Sequence, residues 1–483
     1  MAFAAATSAV VIGLLGHVVR VEADLSPGPP GFDLTGLPET ATATTRDRVR
    51  AAIINSGFTW PDGRITVTAL PLNTPKYGTT LDVAIAVAIL AADGHLPVHR
   101  LEGTALLGEL GLDGAIRPVR GMACALHTLA ASGVRSVAIP PADTGHHHQC
   151  TLIPAATLAD LVERLRSDQP APACATAEPP PPDLADVRGN SIARHALEVT
   201  AAGGHHLFLL GNGPATMLAE RLPGILPPLD RQTLSRVNEI HALTGTRRTG
   251  RRPPLCAPHH TNTAAAIFGR HAVNDVLRPG AVSLAHGGVL FLDEAPEYPR
   301  SILDGLRLPL ETGEIILAGW TGIARLPARF QLLLAADPCP CVGTCRCTPL
   351  HRQRYLHRLA ALREHIDITA KTEPIQGKSG DGESSAVVAE RVAKARARAA
   401  HRLTGTPWRT NAEVPGPEIR TFYPPDSAAL DLIDERIQCG VLTSTTATRV
   451  LRVAWTLADL RAAHRPTRDD ALTALQLWQG DQA

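Results

Sequence analysis

Aromatic residues make up only 4% of this 483-residue chain, too few to lay out the interleaved stacking platforms that hold single-stranded nucleic acid. Neither sign of charge prevails: 47 Lys+Arg stand against 46 Asp+Glu, a formal net charge of +1. Bulk charge therefore supplies no argument for a polyanionic partner, and any nucleic-acid contact must come from a local basic patch. Lysine is missing from the middle of the chain, where none falls between Lys76 and Lys371. No window offers the uninterrupted run of about 18 apolar residues that a helical membrane span needs. The apolar start, Met1 to Leu15, has no basic leader and no cleavage site, and runs into Val18-Val19-Arg20-Val21-Glu22-Ala23-Asp24, whose alternation predicts a strand. Nine cysteines are an odd number and four crowd into Cys339–Cys347. That is unlike a secreted disulfide framework and suits a reducing compartment, so the expected location is cytoplasmic and no membrane partner is expected.

What is present is a globular composition, 44% hydrophobic and 19% charged, which excludes wholesale disorder. The length predicts two to four domains. A proline-rich stretch from Pro170 to Pro182 reads as an extended linker, and Gly377 to Ser385 as a flexible loop. The expected organisation is a first block over 1–168, a linker over 169–185, a second block over 186–370, a loop over 371–386 and a helical block over 387–483. In the first block, helices are expected over Arg46–Ser56 and Leu81–Ala92, a strand over Ile65–Leu70, and a hairpin across Leu106–Val119. The second has the order of a nucleotide-binding α/β core. A helix around Ser191–Ala202 precedes the strand His206–Leu210, a glycine turn, a helix from near Thr216, and the apolar strands Val289–Leu292 and Gln331–Ala335. The third is predicted helical over Ala386–Arg402, Ser427–Cys439, Ser444–Ala463 and Arg468–Trp478.

The strand Leu290-Phe291-Leu292 ends in Asp293-Glu294. Carboxylates at the C-terminal edge of a parallel strand stand where such sheets bind ligands; in nucleotide hydrolysis Asp293 would hold Mg²⁺ and Glu294 would polarise the attacking water. The competing reading is a strand followed by a helix N-terminus that favours acidic residues. The turn after the first strand, Gly211-Asn212-Gly213-Pro214-Ala215-Thr216, keeps two glycines and the threonine of a phosphate-cradling loop but is two residues short and has no lysine. No lysine of the second block can replace it. Backbone N–H groups at the following helix start can still attract an anion. Cys339, Cys341, Cys345 and Cys347 could close around one Zn²⁺ or another soft cation, or remain free thiols or a redox pair. His146-His147-His148 reads as a solvated loop, and His259-His260 as loop packing more than ligation. Arg391, Lys394, Arg396, Arg398 and Arg402 form a basic helix, read as a solvated face with a nucleic-acid patch as the alternative. A Ser/Thr–Lys76 hydrolase dyad has no supporting elbow or spacing.

Along nearly the whole length the chain resembles the Mg-chelatase-like AAA+ family (ComM/YifB type). The resemblance rests on Val21-Glu22-Ala23-Asp24-Leu25, Gly36-Leu37-Pro38 and Gly108-Glu109-Leu110-Gly111-Leu112-Asp113-Gly114 in the first block. In the second it rests on Leu222-Pro223-Gly224-Ile225-Leu226-Pro227-Pro228-Leu229, Pro258-His259-His260-Thr261, His286-Gly287-Gly288-Val289-Leu290-Phe291-Leu292-Asp293-Glu294 and Pro338-Cys339-Pro340-Cys341. In the third it rests on Thr410-Asn411-Ala412-Glu413-Val414-Pro415-Gly416 and Arg449-Val450-Leu451-Arg452. It implies an N-terminal α/β domain of ribosomal-S5-like fold, similar to Lon-type protease domains, then an AAA+ P-loop-type α/β core and a C-terminal helical domain. It also implies ATP and Mg²⁺ as ligands, DNA as partner, a hexameric ring or a mixed ring with an intact paralogue, and a role in DNA branch migration during transformation.

The departures from the family pattern fall where ATP chemistry would be done. A full Gly-Pro-Pro-Gly-Ser-Gly-Lys-Thr belongs where Gly211 to Thr216 stands, and the family's asparagine before Pro-Cys-Pro-Cys is Asp337 here. Its Asp-Arg-Ile-Asp is Glu364-His365-Ile366-Asp367, without the arginine, and a further arginine falls at Thr445. An arginine finger alone is worth about 10³–10⁵ in rate. The expectation is an ATP-binding protein of this family impaired in hydrolysis, with nucleotide-binding positions Gly211, Asn212, Gly213, Thr216 and Asp337 and catalytic positions Asp293 and Glu294. The alternatives are an active DNA-translocating ATPase, with Arg221 as the nearest basic side chain after the turn, and a Zn²⁺-stabilised DNA-binding scaffold.

Overall fold

A computed structural model describes residues 2–72, 74, 76, 79–141, 150–167, 180–244, 246, 248, 250–271, 277–319, 322–341, 345–374 and 382–480. His146-His147-His148, most of the proline-rich stretch and most of the glycine-serine loop lie outside the described residues.

The first 26 residues form one long hairpin. β1 (Ala2–Ile12) and β2 (Leu15–Ser26) pair antiparallel from Ala2↔Leu25 to Ile12↔Leu15, turning through Gly13 at φ +65°. The apolar N-terminus is thus the partner of the strand that the alternation predicts. β3 (Gly31–Thr35), β4 (Arg64–Leu70), β5 (Thr104–Leu106), β8 (Ser136–Ile139) and β9 (Thr151–Pro154) complete a seven-stranded mixed sheet in the order β3-β4-β2-β1-β5-β8-β9. The short pair β6 (Glu109–Leu110) and β7 (Ile116–Arg117) is the expected hairpin. The helix Asp82–Ala92 is buried along its whole length and packs on β1 and β2, as a helix apolar on every side must. The helix expected from Arg46 starts earlier, at Glu39 directly after Pro38, because its first turns carry no apolar period to announce them.

The second sheet is parallel throughout. Its strands are β10 (Leu207–Leu210), β11 (Leu255–Cys256), β14 (Val289–Leu292), β17 (Gln331–Ala336) and β18 (Ile368–Lys371), in the order β11-β14-β17-β10-β18. The first strand lies between the fourth and fifth, so the order reverses beside β10, and the C-terminal ends there form the crevice in which such sheets take ligands. Two antiparallel pairs project from this unit: β12 (Gly269–His271) with β13 (Leu277–Pro279), and β15 (Glu314–Gly319) with β16 (Gly322–Pro327).

The helices Ser385–Arg402, Ser427–Gln438, Ser444–Leu460 and Arg468–Gln479 share one apolar core with the helices Ser191–Gly203 and Ala215–Ile225. Two of the basic-helix readings are corrected by that packing. Arg391 is shared between Glu198 and Glu383, Arg396 donates to the Ala201 carbonyl at 2.9 Å, and Arg398 to the Asp459 carbonyl at 2.8 Å. Arg402 forks onto the Asp459 carboxylate at 2.7 Å. Arg396, Arg398 and Arg402 join the helix to its neighbours, being neither a solvated face nor a patch, while Lys394 pairs along the surface with Glu390 and Arg391 with Glu383. Buried His205 adds a second polar tie, with Nδ1 3.0 Å from Asp367 and Nε2 2.8 Å from the Thr456 hydroxyl. Between the two α/β units, the helix Met122–Ala131 packs against the helix Arg231–Ala242, and the Gly121 N–H donates to the Ala242 carbonyl.

Candidate functional site

β14 delivers Asp293 and Glu294 to the crevice as exposed side chains after four buried apolar residues. Asp293 is held from two sides: its Oδ1 accepts the Glu294 N–H at 3.0 Å, and its Oδ2 accepts the Thr216 hydroxyl at 2.9 Å. The fold thereby joins the threonine that closes the glycine turn to the first strand-end carboxylate, 77 positions away. Glu294 adopts φ +49°, ψ +43°. For a residue with a Cβ this left-handed conformation costs about 1–2 kcal/mol, so the surroundings hold it there. Asp337 follows β17 on the same edge; burial, then the charges of Glu294 and Asp293, pushes its carboxyl above the usual range. Three carboxylates thus meet where a polyphosphate would lie.

The turn itself is closed on its own protein. The Gly211 N–H donates to the Ala336 carbonyl at 3.0 Å, the Gly213 N–H to the Thr372 hydroxyl at 3.2 Å, and the Ala215 N–H to the Gly213 carbonyl at 2.8 Å. A Cβ at Gly211 (φ +141°) would sit 2.1 Å from the Thr372 carbonyl oxygen, and one at Gly213 2.6 Å from the Glu373 nitrogen. Only glycine allows that approach. The segment after β18 is pinned in turn by Asn190, whose amide accepts from the Glu373 N–H at 2.8 Å and donates to its carbonyl at 2.9 Å.

Two basic residues lie near this turn along the chain or across the sheet. Arg221 is buried and spent elsewhere: it donates to the Asp183 carbonyl at 2.7 Å, the Met217 carbonyl at 3.0 Å and the Asp186 carboxylate at 2.9 Å. Lys371, which ends the lysine-free stretch, lies one position beyond the expected second block. Parallel pairing sets it opposite Leu210, immediately before Gly211. Its strand and turn are 160 residues apart in the chain, so no local spacing could have revealed it. Lys76, by contrast, gives its ammonium to the carbonyls of Pro71 and Thr74.

At the far end of β18, Glu364 and Thr445, both positions where the family pattern has or neighbours an arginine, line one cavity of about 500 Å³ with Arg420, Arg449 and Arg452.

Beyond Asp337 the cysteines converge. Cys339 Sγ lies 3.1 Å from Cys345 Sγ and Cys341 Sγ 3.0 Å from Cys347 Sγ, and all four sulfurs lie within 4.8 Å of one another. Four thiolates at ~2.3 Å from a tetrahedral Zn²⁺ would stand ~3.8 Å apart, so the set fits that ion with small adjustments. The Cys339 hydrogen bond brings the Cys345 thiol down to about 7, and the Cys341 hydrogen bond pushes Cys347 up to about 12.

His259 and His260 are also drawn into the crevice. His260 Nδ1 lies 3.1 Å from Glu294 Oε2, and the two imidazole centroids are 4.1 Å apart. Their loop is fastened by fully buried Tyr298, whose hydroxyl donates to the Pro258 carbonyl. Besides packing on each other, the pair meets the second strand-end carboxylate.

Comparison with known proteins matches the three parts of the chain in order. The signature of subunit ChlI of Mg-chelatase covers residues 21–143, that of magnesium chelatase subunit ChlI covers 183–379, and that of the ChlI C-terminal region covers 382–478. An uncharacterised Mycobacterium tuberculosis protein, Rv2897c, is 43% identical over 503 aligned positions, with 99% of each chain covered. The uncharacterised protein YifB of Escherichia coli is 36% identical, covering 95% of this chain and 93% of its own. Competence protein ComM of Haemophilus influenzae is 33% identical, covering 95% and 94%. Among the described residues no helix is long and apolar enough to cross a membrane. With an N-terminal α/β unit, a parallel five-stranded AAA+ core and a helical C-terminal region all matched in sequence, the chain belongs to the Mg-chelatase-like AAA+ family of ComM and YifB.

Proposed function

We propose that this chain is a ring-forming AAA+ subunit acting on DNA that keeps the nucleotide-binding fold but binds ATP weakly and hydrolyses it slowly or not at all. One observation carries the reading: both glycine N–H groups of the phosphate turn are already spent, Gly211 on Ala336 and Gly213 on Thr372. A cradle for phosphate needs those donors free. The convergence of Asp293, Glu294 and Asp337, without a lysine in the turn, adds repulsion to a polyanion. Were ATP held here, Thr216 and Asp293 would carry Mg²⁺, which supplies charge neutralisation at the phosphate oxygens. Glu294 would orient and polarise the attacking water. The missing arginines at Glu364-His365-Ile366-Asp367 and at Thr445 remove cations that stabilise transferring phosphate, and their losses need not add. Competence as the setting is carried over from the ComM relative; DNA as the substrate and a hexameric or paralogue-containing ring come from the family resemblance.

Titration calorimetry with ATP·Mg²⁺, and ATP turnover with and without DNA, test the reading. It expects weak or no binding heat and no DNA-stimulated turnover. Micromolar affinity, or brisk turnover abolished by Glu294→Gln, would overturn it.

The pairing of Lys371 beside Leu210 favours a second reading, an active ATPase that draws a cation from β18 instead of the turn. The four-cysteine set supports a structural Zn²⁺ in either case.

A further inference from the structure

We propose that His259, His260 and Glu294 form a binding site for a borderline divalent transition-metal ion such as Zn²⁺ or Co²⁺, separate from the Thr216–Asp293 pair. One ligand atom from each of the three lies within 4.8 Å of the other two. Two donors at ~2.1 Å from a common ion stand ~3.0–3.4 Å apart, and His260 Nδ1 and Glu294 Oε2 are 3.1 Å apart. Without an ion, a proton between imidazole and carboxylate satisfies that contact; a divalent cation takes its place.

Three features make the set a built site. Glu294 is held in its left-handed conformation, which turns it out of the strand direction of Asp293. The histidine loop is anchored from beneath by Tyr298 through the Pro258 carbonyl. The Thr261 hydroxyl, 2.8 Å from His259 Nδ1, and the Thr261 N–H, which donates to the same nitrogen at 3.3 Å, fix the orientation of that ring. Donor chemistry then selects the ion. Two imidazoles and one carboxylate suit Zn²⁺, Co²⁺ or Mn²⁺, while Mg²⁺ asks for oxygen ligands such as Asp293 and Thr216 provide. Two unlike cation sites therefore stand on adjacent residues of one strand end. An ion held by Glu294 withdraws that carboxylate from water activation; this consequence rests on the function proposed above, whereas the binding does not.

The test is Co²⁺ binding to the full chain without nucleotide, read by calorimetry and by visible d–d absorption. The background carries Cys339→Ser, Cys341→Ser, Cys345→Ser and Cys347→Ser, to silence the sulfur site. One Co²⁺ per chain is expected, weakened at least about tenfold by His260→Ala and by Glu294→Gln, with excess Mg²⁺ failing to compete. Should the four-serine chain not fold, the same site appears as a loss of one bound ion per chain between the unsubstituted protein and His260→Ala, with matched thermal unfolding confirming that both are folded. Equal stoichiometry and affinity in those two proteins would overturn the proposal. Since no readout involves ATP, a failure of the proposed function leaves this result intact, and the reverse holds too.

Discussion

Lys371 stands directly opposite Leu210 across the parallel pairing of β18 with β10, one residue ahead of the glycine turn that lacks its own lysine. The next residue, Thr372, accepts the Gly213 N–H. One short segment therefore both sets a lysine backbone beside the turn and occupies one of the donors that an anion would use.

Lys371→Ala is expected to weaken nucleotide binding about tenfold, the worth of one charge-assisted contact, with Lys371→Arg retaining most of the affinity. Calorimetry with ATP·Mg²⁺ measures it. An affinity unmoved by both substitutions removes the basis for the active-ATPase reading.

Thr372→Val keeps the volume of this buried residue while deleting the oxygen that holds the Gly213 N–H at 3.2 Å. Freeing that donor should raise nucleotide affinity roughly fivefold, from about 1 kcal/mol for one hydrogen bond. Gly213→Ala should act oppositely on stability: its Cβ would press on Glu373 N and Thr372 Cβ at 2.6 Å, costing about 1–3 kcal/mol in chemical unfolding.

In the N-terminal unit, burial pushes the Asp82 carboxyl up to about 6, against the pull of the Arg48 guanidinium at 2.6 Å. Its folded value lies above the unfolded one, so the folded state holds the proton more tightly. The stabilisation is complete below about pH 4 and is lost as pH rises through about 6, amounting to on the order of 3 kcal/mol. Melting temperatures from pH 4 to 7 should show this decline, and Asp82→Asn should flatten it.

Among the cysteines, Cys345 carries the thiol lowered to about 7 by its Cys339 hydrogen bond, and it is exposed. In metal-free protein near neutral pH it should be the first of the described cysteines alkylated by iodoacetamide, because the thiolate is the nucleophile. Added Zn²⁺ should protect it, and Cys345→Ala should lower bound zinc by one ion per chain. Peptide mapping and metal analysis check both.

Local pattern carried much of the architecture. The apolar run closed by Asp293-Glu294, the short glycine turn and the four cysteines within nine positions can be read because each is contiguous, and strand and helix periods write themselves into neighbouring residues. The arginines of the helix Ser385–Arg402 show the opposite case: a basic helix in sequence, they are turned into internal ties by Glu198, Ala201 and Asp459, partners far along the chain.

The chain's own order of residues determined which groups are available: two strand-end carboxylates, a turn without lysine, a histidine pair and a thiol cluster. Tertiary structure alone decided which of them meet. It brought Lys371 beside Leu210, drove Thr372 against Gly213 and set His260 on Glu294, since strand order and crossovers bring together residues whose separation along the backbone leaves no periodic trace.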